Sequence, residues 1–292
     1  MKNFCKKHTL IFFVFAIIVA LFSNLITGFL QAPFTKNLTI SYLIESIFKC
    51  SISIMPITLM IKWGYTKKAT KKQVAIGFLL GTLFLLFMAP NLIPLVLVNS
   101  NLFDAQWGII LSIVLACFGI GLMEESAIRG VILPLLCEKW RNKKNVYLKA
   151  ALVSSLLFSC IHLNWSVRYF LEHGTLSFDY FMGNMYQVYY TFCFGLLAAG
   201  ITIYTRNILG MVFWHSLCDV SAFIIYGILP YASIEFYYRY DKLTLQNVLN
   251  TYGVLPGCSF GAQIVLGLIN FIFLVVGVVL IKKAEKKFPF AS

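Results

Sequence analysis

Charge is what this sequence has least of. Asp, Glu, Lys and Arg make up 12% of its 292 residues, 60% are hydrophobic, and the mean hydropathy is +0.82. A soluble domain could neither enclose that much apolar side chain nor coat it with so few polar groups, so the chain belongs in a membrane. The apolar runs also lack the alternation of polar and apolar residues over about 10 positions that a membrane β-barrel requires, which leaves helices. Paired cysteines are missing too. Cys5, Cys50, Cys117, Cys137, Cys160, Cys193, Cys218 and Cys258 stand singly with no C-x-x-C, a pattern of small apolar residues rather than of a disulfide framework or thiolate metal site. No low-complexity linker, no polar stretch long enough for its own core and no convincing internal repeat is visible. Residues 1–292 therefore read as a single transmembrane domain.

A helix needs about 20 residues to cross a hydrocarbon core of about 30 Å at about 1.5 Å per residue. Runs of that kind fall at 9–30, 42–61, 73–98, 107–136, 148–164, 181–204, 207–229 and 261–281. The expected fold is an all-α integral membrane protein of about eight transmembrane helices. The first run follows Lys6 and Lys7 as in a signal peptide, but it extends over about 22 residues without a small-x-small cleavage site and is expected to be a retained anchor. Pro90 and Pro94 are expected to bend or end the third span, and Pro230 to close the seventh.

The net charge of +13 raises a nucleic-acid partner as a possibility, and the placement of the basic residues decides against it. Eighteen of the 24 Lys and Arg fall on one side of the eight-span arrangement, including Lys67, Lys68, Lys71, Lys72, Lys143, Lys144, Lys282 and Lys283. The opposite side has Lys36, Arg168, Arg239 and Lys242, and only Lys49 and Arg129 lie within spans. This asymmetry is a topology signal that puts both termini in the cytoplasm of a multi-pass cell-membrane protein, with basic loops against anionic headgroups.

Ionisable residues inside spans are then the informative ones, because each costs roughly 2.5–3.5 kcal/mol to insert near the bilayer centre. The fourth span carries three within Gly121-Leu122-Met123-Glu124-Glu125-Ser126-Ala127-Ile128-Arg129-Gly130. Glu125 and Arg129 stand at i, i+4 with the acid first, the favoured order for an ion pair. Glu124, about 100° round the helix, is left without a local partner and suits a general acid or base. The fifth span contains Phe158 and His162, with Phe158 one turn earlier on the same face. The seventh contains His215 and Asp219 at i, i+4, where the carboxyl can orient the imidazole or reach the same cavity. His8 and His173 lie at an edge and in a loop and are set aside. Glu45 and Lys49 in the second span form an internally neutralised pair with no assigned chemistry.

A lone intramembrane His is more often an interhelical hydrogen-bond partner, and a lone Glu–Arg pair is usually structural glue. Two Glu, an Arg, two His and an Asp on three separate spans are too costly a set for glue alone. These segments resemble the motif set of the CPBP family, intramembrane proteases related to CAAX prenyl endopeptidases and to bacteriocin-processing and self-immunity proteins. The family pattern is E-E-x-x-x-R, then F-x-x-x-H, then H-x-x-x-N or D. Here these are Glu124, Glu125 and Arg129, then Phe158 and His162, then His215 and Asp219, in order over residues 124–219. Many relatives carry Asn where Asp219 stands.

The resemblance implies an intramembrane endopeptidase with its catalytic core within 107–229, acting on a membrane-associated or lipidated peptide or protein. Glu124 and His162 would activate water, His215 and Asp219 would face the oxyanion, and Glu125, Arg129 and Phe158 would support them. If a metal such as zinc takes part, Glu124, His162 and His215 are its ligands. No H-E-x-x-H is present, and a Glu–His pair can activate water unaided, so a metal-free mechanism is favoured. The alternatives are a non-catalytic scaffold or bacteriocin immunity protein, and a proton-coupled transporter, against which the missing repeat counts.

Overall fold

The computed structural model describes residues 37–63, 107–163, 178–223 and 260–288, with a few isolated positions besides. The expected spans at 9–30 and 73–98, the prolines at 90, 94 and 230, and the end of the seventh span lie outside the described residues. Every regular element among the described residues is helical: α1 (Leu38–Trp63), α2 (Trp107–Glu125), a π-helical segment (Ser126–Ile132), α3 (Leu133–Lys139), α4 (Val146–Ile161), α5 (Phe178–Thr205), α6 (Leu209–Phe223) and α7 (Phe260–Lys287). Each overlaps a span expected from hydropathy. Among the described residues, three stretches are long and apolar enough to cross a membrane, Thr39–Ile61, Gly108–Lys139 and Gln187–Thr205, and Val146–Ile161 and Leu209–Val220 are shorter apolar helices.

Apolar side chains predominate in these helices, and many of their hydroxyls turn back on the helix's own carbonyls. Ser126 donates to Met123, Ser154 to Ala151, Ser159 to Leu156 and Ser216 to Val212. In an apolar surrounding that internal satisfaction removes the cost of a bare hydroxyl. Ile47, Ile54 and Ile61, spaced seven apart on α1, are about two-thirds exposed, so that side of α1 offers apolar side chains outward, as a lipid-facing surface does.

Two groups of helices meet. α1, α2 and α6 pack together, as do α4, α5 and α7, and the π-helical segment touches α1, α4 and α5 at the seam. Glycines set the closest approaches: a Cβ on Gly121 of α2 would fall 2.6 Å from Ser216 Oγ of α6, and one on Gly277 of α7 would fall 2.8 Å from the Leu196 backbone of α5. Only a residue without a side chain lets these backbones come so near. The turn from α5 to α6 is short and carries Arg206 at φ 56°, with the Asn207 side chain capping the Leu209 N–H at 2.8 Å, which makes the two helices neighbours.

The π-helical segment was not legible in the hydropathy pattern. It lies just ahead of Pro134, whose ring has no N–H for the Gly130 carbonyl four residues earlier and crowds it. The Leu133 N–H instead reaches the Ile128 carbonyl, a five-residue step that widens the helix. All seven residues of the segment are buried, so the wide turn sits in the interior, immediately after Glu124 and Glu125.

Candidate active site

Three helices deliver the site. α2 terminates in Glu124 and Glu125, α4 terminates in Phe158 to Ile161 with His162 as its C-terminal cap, and α6 presents His215 and Asp219 one turn apart. His162 therefore stands at the end of its helix, half-buried, rather than in mid-helix.

Glu125 is the fixed point. Its Oε1 accepts from Arg129 Nη1 at 3.0 Å and from His215 Nδ1 at 2.8 Å, with the Glu125 and Arg129 side chains both fully enclosed. The first contact is the i, i+4 pair expected from spacing. The second joins residues 90 positions apart and was not foreseen. Because a carboxylate only accepts, His215 must carry its proton on Nδ1 there, and Nε2 is left to face the site. Of the two roles left open for Asp219, orienting the ring or reaching the same cavity, the hold on Nδ1 belongs to Glu125 instead. Asp219 Oδ2 lies 3.7 Å from His215 Nε2, too far for a hydrogen bond, and this enclosed oxygen has no hydrogen-bond partner among the described residues.

Glu124 points to the same nitrogen, with Oε2 3.7 Å from His215 Nε2 and its side chain 13% exposed. This spacing exceeds a direct hydrogen bond and suits a bridging water. His162 is oriented from its own helix: Nδ1 donates to the Phe158 carbonyl at 3.0 Å. A carbonyl cannot donate, so in neutral His162 the Nε2 lone pair is the free end. Asn184 of α5 fixes the other side of the cap by donating to the His162 carbonyl at 2.9 Å, and His162 is within electrostatic reach of Glu124.

Phe158 ties the three helices together. Its face takes the Arg129 guanidinium at 4.3 Å from the ring centroid, while His162 and His215 meet it edge-on at 5.1 and 5.8 Å between centroids. A cation on the ring face and imidazoles at steep angles are the arrangements a π quadrupole favours. Phe194 of α5 adds a second wall, 5.2 Å from His215 and 5.0 Å from Trp214. Sequence reasoning missed Phe194, one of 27 phenylalanines and in no motif; its only signal is a position one turn after Tyr190 on an inward face. The structure thus brings together Glu124, Glu125, Arg129, Phe158, His162, His215 and Asp219.

Among the described residues no group of three or more His, Cys, Asp or Glu side chains is close enough together to hold a metal ion. The Nδ1 atoms of His215 and His162 are hydrogen-bonded to Glu125 and to the Phe158 carbonyl, which leaves their Nε2 atoms and the Glu124 carboxylate as the groups that would hold a metal.

Apolar helices enclosing a cluster of carboxylates, imidazoles and a guanidinium define a membrane protein with a polar centre. A comparison narrows the class: residues 106–221 match the model of the Rce1-like family, type II CAAX prenyl endopeptidase Rce1-like. The match begins at α2, ends within α6 and includes all three motifs, so the resemblance drawn from those motifs is borne out over this segment, and the family it points to is one of proteases. No curated protein and no solved structure matches the chain.

Proposed function

We propose that this chain is a multi-pass intramembrane endopeptidase that hydrolyses a peptide bond in a membrane-associated or lipidated peptide or protein. The observation that carries the reading is the two-sided hold on His215: Glu125 fixes Nδ1, and Nε2 is turned toward Glu124.

In the proposed reaction a water donates one hydrogen bond to the His162 Nε2 lone pair and its other proton to Glu124 as the new carbon–oxygen bond forms. His215, as imidazolium, donates from Nε2 to the oxyanion of the tetrahedral intermediate, and Asp219 stands beside that same nitrogen at 3.7 Å. Glu124 then returns its proton to the amine as the carbon–nitrogen bond breaks. No step is routed through a metal. Both termini are taken as cytoplasmic, from the basic loops.

The test compares peptides released from membranes of cells carrying the wild-type and Glu124→Ala proteins. Products present only with wild type support the reading and identify the substrate; identical peptide sets overturn it in favour of a scaffold.

A further inference from the structure

Hydropathy and spacing gave the Glu45–Lys49 pair of α1 no task, yet the structure turns it inward. Lys49 Nζ lies 3.3 Å from Glu45 Oε1, and Lys49 is only 2% exposed. The same face of α1 is held against α2: Ser46 donates to the Leu115 carbonyl at 3.0 Å, and a Cβ on Gly119 would meet the Lys49 Cβ at 3.4 Å. Across α2, Cys117 and Ile113 pack with Val220 of α6, the residue after Asp219, and Tyr42 of α1 joins that cluster. Small residues at 117 and 119 therefore make α2 thin where it separates Lys49 from Asp219.

The charges around Asp219 are His215 on its own helix, Glu124 on α2, and Lys49 and Glu45 on α1. Cys117 is within electrostatic reach of Asp219, Glu45 and Lys49 together. In this sector the described residues supply four carboxylates, Glu45, Glu124, Glu125 and Asp219, and two basic side chains, Arg129 and Lys49. Arg129 is bonded to Glu125 at 3.0 Å. Lys49, the other, pairs with Glu45 at 3.3 Å on its own helix, and opposite charges a helix apart attract strongly where little water screens them.

We propose that Lys49 is the counter-cation of Asp219, a positioning residue on α1 that holds the Asp219 carboxylate beside His215 through the thin part of α2. It touches no substrate and acts only through Asp219. The effect on cleavage rests on the hydrolase reading; the coupling between the two charges does not.

The experiment is a double-mutant cycle of Lys49→Met and Asp219→Asn in the full-length protein, in a Glu45→Gln background so that no carboxylate on α1 is stranded. Thermal midpoint in detergent and cleavage rate are both read. With Asp219 present, Lys49→Met lowers the midpoint and slows cleavage by about tenfold, the size of a modest misplacement. Combined with Asp219→Asn, the same substitution changes both far less, and Lys49→Arg alone retains the wild-type rate. Equal effects of Lys49→Met with and without Asp219→Asn, or no effect in either background, overturn the proposal. Unchanged cleavage in Glu124→Ala would sink the hydrolase reading instead, and the midpoint cycle would still decide this one.

Discussion

The Glu125 carboxylate accepts the Nδ1 proton of His215 at 2.8 Å while the same oxygen holds Arg129 at 3.0 Å. One buried atom thus fixes both the ionic balance of the helix end and the direction of an imidazole on another helix. Breaking either contact should have different consequences for stability and for chemistry.

Arg129→Ala leaves Glu125 enclosed without its cation, and an uncompensated buried charge of this kind costs ~3–5 kcal/mol. The expected outcome is low abundance in membranes and a depressed thermal midpoint in detergent. Abundance equal to wild type would contradict the structural role of this pair.

His162→Asn places an amide nitrogen near the position of Nδ1, where it can still donate to the Phe158 carbonyl, but puts nothing at Nε2. The protein should fold with a near-normal midpoint while cleavage falls by about 10²–10⁴, the range for loss of a group that handles the reacting proton. A parallel fall in midpoint and cleavage would mean that His162 is structural.

Phe158→Leu keeps an apolar side chain but removes the ring that meets Arg129, His162 and His215. The change is large-to-small and should cost less than the about 3–5 kcal/mol of truncation to Ala, so the midpoint should drop without loss of the fold. The turnover rate should suffer more than substrate affinity, because both imidazoles lose their common wall. Kinetics in detergent or reconstituted vesicles separate the two.

Gly121→Ala would drive a methyl to within 2.6 Å of Ser216 Oγ and 3.0 Å of the Val212 carbonyl. Separation of α2 from α6 would move Glu125 away from His215, with an overpacking cost of about 1–3 kcal/mol. Adding Ser216→Ala should recover part of the midpoint and part of the cleavage, since it removes the nearest clashing atom but not the backbone.

Much of this centre was legible in the sequence because membrane insertion makes polar residues conspicuous. Glu124, Arg129, His162 and His215 stood out against apolar runs, and the i, i+4 spacing of Glu125 and Arg129 is a local relation that helix geometry alone fixes. The partner of His215 was not legible. Asp219 is its neighbour along the helix, but the register between α2 and α6, set by the close contact of Gly121 with Ser216, puts Glu125 on Nδ1 instead. The widened turn after Glu125 escaped for a similar reason: it depends on Pro134, which leaves the hydropathy pattern unchanged. Phe194 and Lys49 were visible as letters, but only packing shows that one walls His215 and the other faces α2.

The most direct measurement is cleavage by the Glu124→Gln protein, which keeps the size and hydrogen-bonding shape of the side chain but cannot take a proton from water. Purified wild-type and variant proteins, matched for thermal midpoint, are given the peptide that distinguishes wild-type membranes from those of the Glu124→Ala strain. The account predicts full binding and a cleavage rate reduced by at least about 10²-fold. Cleavage by Glu124→Gln at the wild-type rate would contradict it.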